Sequence, residues 1–155
     1  MTLMNRSALR ATMLGGLIAG TIDIGAAALI NWVNPLIILQ AIASGVLGRS
    51  SFHDGLSSQV LGLLLQWLMS IIIAACFVFA ALRLPLLRKR WVAAGLAYGV
   101  VIFFVMNYVV VPLSAVGHRP HFTVSRFSEN MLAMLLFGLI VAYFARATSP
   151  RPDQR

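Results

Sequence analysis

Along this chain four long apolar runs alternate with short polar breaks. Each run is close to the ~20 residues a helix needs to cross a hydrocarbon core about 30 Å thick. The pattern predicts spans over residues 11–33, 59–82, 91–113 and 127–146. Asn34-Pro35 closes the first run and suits the start of a new helix, with Asn34 as N-cap and Pro35 at the first position. The segment that follows, residues 36–47, is too short to cross and is predicted as a re-entrant or interfacial helix. The expected fold is all-α: an integral membrane bundle of four transmembrane helices with that short helix between the first two. It makes a single domain over residues 1–147, followed by a disordered cytoplasmic tail over 148–155.

Composition supports a membrane protein. Of the 155 residues 60% are hydrophobic and 10% charged, with a mean hydropathy of +0.90. Soluble domains carry about a quarter charged residues. The net charge of +8 would admit a nucleic-acid partner, but the basic residues punctuate span ends and do not gather on one polar face. Membrane lipids are the partners they suit. Nine of the twelve Lys and Arg residues, among them Arg83, Arg88, Lys89, Arg90 and Arg146, fall on one side of a four-span topology. The positive-inside rule makes that side cytoplasmic, with both termini there. The cluster Arg83, Arg88, Lys89 and Arg90 is expected to contact anionic lipid headgroups. Residues 1–20 imitate a signal peptide, but the apolar stretch outruns a usual h-region and contains Asp23, which favours a retained first helix. With Cys76 as the one cysteine, the chain has no internal disulfide.

Helices in lipid associate where small residues let their backbones approach. Gly16 and Gly20 form a GxxxG in the first span, and Gly95 and Gly99 form another in the third. Asp23 follows Gly20 by three positions, which puts a carboxylate on the small-residue face. Gln66 and Ser70 lie on a polar stripe of the second span. Asn107 lies within reach in the third, and Asn130, Met134 and Gly138 mark a face of the fourth. At ~1.5 Å of rise per residue, Asp23 is roughly 15 Å from the outer end of its span, Gln66 roughly 10, Ser70 roughly 16 and Asn107 roughly 9. These four residues are therefore expected to form an intramembrane polar cluster. An ionised carboxylate on a lone helix costs about 3 kcal/mol near the bilayer centre. Hydrogen bonds from Gln66, Ser70 or Asn107 would relieve that cost, and so would a proton. Two roles stay open: a structural clasp that fixes helix register, and a site for a proton, ion or solute.

His53-Asp54 in one outer loop and His118 and His121 in the other are the right residue types for zinc or copper. Their spacing is wrong for a shared site and Arg119 opposes a cation, so no metal is expected. The chain has no Gly-rich phosphate loop, HExxH or nucleophile elbow. No cofactor and no enzymatic activity are expected.

The stretches LQAIASGVLGRSSFHDG, LGLLLQWLMS and LAYGVVIFFVMNYVVVPLSA, with Gly20, Thr21 and Asp23 as a GT-x-D element, resemble bacterial inner-membrane proteins of the YagU-like kind over roughly residues 15–146. The resemblance implies a small multi-span inner-membrane protein without an assigned chemistry. In that kind a histidine often sits where this chain has Gln66 and another where it has Ala133. Their absence weakens any histidine-based site inside this bundle. The expected function is that of a non-enzymatic accessory or stress-related membrane component, with room for a homo-oligomer or a membrane-protein partner. The alternatives are a small proton, ion or solute pathway centred on Asp23 and, far behind it, an outer-face metal-dependent enzyme.

Overall fold

In hydrocarbon a backbone must satisfy its own amides, and helix does this within one segment. The computed structural model describes residues 6–115 and 123–148, which are helical almost throughout. Helix α1 spans Arg6–Asn31 and α2 spans Pro35–Leu47, extended by a 3-10 turn over Gly48–Phe52. Then come α3 (Leu56–Arg83), the short α4 (Pro85–Lys89), α5 (Trp91–Leu113) and α6 (Val124–Arg146). Five runs are long and apolar enough to cross a membrane: α1, Pro35–Phe52, α3, α5 and α6. The fifth arises because the 3-10 turn lengthens α2 past the limit of 47 expected for it. His118, Arg119 and His121, and the tail from residue 149, lie outside the described residues.

Asn34 caps α2 as expected, accepting a 2.9 Å hydrogen bond from the Leu36 amide, with Pro35 in the first turn. Gly48 at φ 66° ends the α-helical part. Helix α5 starts at Trp91 as expected, whereas α1, α3 and α6 start earlier than their hydrophobicity suggests. Helix α6 begins at Val124, where the Thr123 hydroxyl accepts from the Arg126 amide. Glu129 therefore falls in the second turn, beyond the reach of the helix-dipole effect. It instead accepts a 3.0 Å hydrogen bond from Ser125.

The principal packing is of α1 against α3 and α6, of α5 against α6, and of α2 against α3. Both GxxxG pairs lie in these seams. A Cβ on Gly16 would stand 2.8 Å from the Ile71 Cα of α3, and one on Gly20 would collide with Ser70. On α5, a Cβ on Gly95 would stand 2.9 Å from the Gly138 carbonyl of α6, and one on Gly99 2.8 Å from the Leu135 Cα. Antiparallel contacts set the levels. Asn31, ending α1, accepts a hydrogen bond from Arg126 in the first turn of α6. Helix α2 stays at this same end: Asn34 follows α1, Leu39 packs on Gly62 near the start of α3, and the Gly45 carbonyl accepts from the Ala115 amide just past α5 at 2.8 Å. At the opposite end, alanines 8, 11, 81 and 145 pack around Phe77 and Val78. Large residues such as Leu29, Leu64 and Leu132 face outward, as lipid contact requires.

Candidate functional site

Antiparallel packing of α1 on α3 sets the GTID stretch of α1 against QWLMS of α3. The Gln66 amide nitrogen donates to the Asp23 carboxylate at 2.9 Å and to the Gly20 carbonyl at 3.4 Å. Gly20 has no side chain, so Ser70 can close on it. One step around the helix, the Trp67 indole donates to the Thr21 hydroxyl at 3.1 Å, and that hydroxyl donates to the Leu17 carbonyl at 2.8 Å. Each polar residue of the GT-x-D element thus has a partner, and three of those contacts cross to α3.

Asp23 is half-buried and lies eight positions before Asn31, roughly 12 Å along the helix. It borders a cavity of about 170 Å³ between the four long helices. Asp23 comes from α1, Gln66 and Ser70 from α3, Asn107 from α5 and Asn130 from α6. The four cluster residues read from the sequence therefore share one cavity. They do not all bond to the acid. Among the described residues Gln66 is the hydrogen-bond partner of Asp23, whereas the Asn107 amide turns back to the Phe103 carbonyl at 2.8 Å. Asn130 likewise donates to the Arg126 carbonyl of its own helix at 2.7 Å. The apolar part of the lining includes Met69, Met106, Met134 and Phe137.

Helix α5 changes pitch beside the cavity. Residues Met106–Val110 form a π-helical stretch, and the Val111 amide donates to the Met106 carbonyl five residues back. The next residue, Pro112, has no amide hydrogen. The Asn107 carbonyl, which would take Val111 in an α-helix or residue 112 in a π-helix, thereby loses its helical donor. Pro112 in an apolar run is the signal that could have located this irregularity. The part played by Asn130 could have been read from the Asn130, Met134, Gly138 stripe. Nothing in the sequence pairs Trp67 with Thr21.

The basic cluster lies at the far end of the bundle. Arg83, Lys89 and Arg90 are exposed and Arg88 is half-buried. Arg83 stacks over the Phe79 ring at 4.9 Å, and Arg146 sits 4.1 Å from the Tyr143 ring and 4.9 Å from that of Trp91. Such cation–aromatic layers suit a headgroup boundary. His53 and Asp54 lie on the turn between the 3-10 stretch and α3.

Comparisons with protein-family models, with curated proteins and with solved structures found no match to this chain. The cavity geometry therefore carries the functional reading.

Proposed function

We propose that this chain is a multi-pass, non-enzymatic protein of the bacterial inner membrane that holds a small solute or ion in the cavity around Asp23. The observation that carries this reading is the convergence of polar side chains from α1, α3, α5 and α6 on one cavity at membrane depth. Intramembrane carboxylates mark ion, proton or substrate sites by default. An accessory component acting only through lipid or protein contacts needs no such cavity, so the alternative centred on Asp23 takes precedence over it.

In this reading four helices span and α2 lies across the outer end, with both termini cytoplasmic. Support comes from the placement of α2, whose start follows α1 and whose Gly45 meets Ala115, both at the end carrying Asn31. It comes also from the excess of Lys and Arg at the other end. Alkaline-phosphatase fusions after Arg90 and after Arg151 should be inactive, and one after Arg119 active. A fifth span through Pro35–Phe52 would reverse the result at Arg90.

The cavity itself is tested by cysteine labelling. A thiol reacts as the thiolate, which forms in water and not in lipid. With Cys76 replaced by alanine, Asn107→Cys should react with a small methanethiosulfonate reagent, and Leu132→Cys on the lipid face should not. Equal inertness of the two would show that Asn107 borders no aqueous space, and the reading would fall.

A further inference from the structure

Among the polar atoms left open around the cavity, acceptors outnumber donors. Both N–H groups of the Gln66 amide are used, on the Asp23 carboxylate and the Gly20 carbonyl, and Asn107 and Asn130 each spend one N–H on a carbonyl of their own helix, keeping one, while the Ser70 hydroxyl adds a group that can donate or accept. The three amide orientations are fixed by those bonds, because a carbonyl can only accept. The oxygens of these three side chains receive no hydrogen bond among the described residues. To them are added the second acceptor capacity of the Asp23 carboxylate and the Asn107 main-chain carbonyl that the π-helical stretch and Pro112 release. Among the described residues no Lys, Arg or His lines the cavity. An acceptor-rich site with a single carboxylate selects a monovalent cation that brings hydrogen-bond donors.

Size and the apolar lining narrow the class. A cavity of about 170 Å³ is slightly larger than the ~150 Å³ cavity that accommodates benzene. A bare alkali cation would leave most of it empty. Met69, Met106, Met134 and Phe137 provide a polarizable apolar wall, the kind of surface a short alkyl body packs against. We infer that the occupant is a small protonated amine of about six heavy atoms. Its ammonium group sits between Asp23 and the oxygens of Asn107 and Asn130, and its alkyl portion lies on the methionine wall. This inference rests on the cavity reading above and adds the charge and chemical class of what the cavity holds.

The test uses the full-length protein in nanodiscs at neutral pH, titrated separately with n-butylammonium, n-butanol and sodium chloride and followed by thermal unfolding and calorimetry. Butylammonium is expected to bind saturably, with a Kd at least tenfold below that of butanol, while sodium leaves its binding unchanged. Asp23→Asn should weaken butylammonium binding at least tenfold with little change in the unliganded Tm, since the amide keeps a polar partner for Gln66. Asn130→Leu, whose lost bond lies within its own helix, should weaken it severalfold and serves as the second variant if Asp23→Asn is unstable. Equal binding of butanol and butylammonium would overturn the inference yet leave the cavity reading standing, because the site would then take neutral solutes. So would saturable sodium binding that excludes butylammonium. Failure of all three to bind while Asn107→Cys still labels would also overturn it. Failure to label removes the cavity reading itself.

Discussion

Gly138→Ala is expected to destabilise the bundle by about 1–3 kcal/mol, the usual cost of overpacking a tight contact. The same change at Gly25 should stabilise it by about 0.5–1 kcal/mol, the helix-propensity difference between the two residues. Both glycines are helical, so propensity alone gives both substitutions the same sign. Surroundings decide otherwise. A Cβ on Gly138 would run into the Gly95 carbonyl and stand 2.7 Å from the Gly99 amide nitrogen, whereas nothing lies within 4 Å of one on Gly25. The atoms met at Gly138 are backbone, which cannot swing aside as a flexible side chain would. Relief requires α5 and α6 to separate along the seam that also contains Gly95 and Gly99. Reversible unfolding in mixed micelles measures both changes. Similar shifts of one sign would mean that α5 and α6 are not in this close contact.

Helix-period patterns made much of this architecture legible. Run length and the Asn34-Pro35 break located the helices, because the bilayer fixes a length and proline marks a start. Glycine spacing identified both packed faces before their partners were known. It could not say that the Gly16/Gly20 face meets α3 while the Gly95/Gly99 face meets α6, since any small face can accept any neighbour. Asp23, Gln66, Ser70 and Asn107 were recognisable together because polar groups at similar depth in lipid have few alternatives to one another. Which of them bond is a matter of rotamer and helix rotation, which residue types do not fix: among the described residues Asn107 bonds its own turn and Gln66 reaches the acid. The Trp67–Thr21 bond was hidden because a tryptophan in a span usually reports an interface or lipid contact. The second helical run extends beyond residue 47 as a 3-10 continuation, Gly48–Phe52, which has no signature in hydropathy.

Asp23→Leu is expected to lower the stability of the bundle by about 1–3 kcal/mol, although it makes the chain greasier. The donor left behind sets the sign. In the folded protein the Gln66 amide loses the carboxylate it bonds at 2.9 Å, and a stranded polar group in low dielectric costs more than the bond itself was worth. Packing gives little back, because moving leucine from lipid into a bundle carries no hydrophobic gain. Asp23→Asn should stay within about 0.5 kcal/mol of wild type, close to the average worth of one interhelical hydrogen bond. In a Gln66→Leu background, Asp23→Leu should cost less than it does alone, since no donor is then left stranded. The measurement is reversible unfolding of wild type, Asp23→Asn, Asp23→Leu, Gln66→Leu and the double-leucine variant in the same mixed micelles. The account predicts a loss for Asp23→Leu that is clearly reduced in the Gln66→Leu background, with Asp23→Asn near wild type. Wild-type stability for Asp23→Leu, unchanged by Gln66→Leu, would place the acid on lipid or water and contradict it.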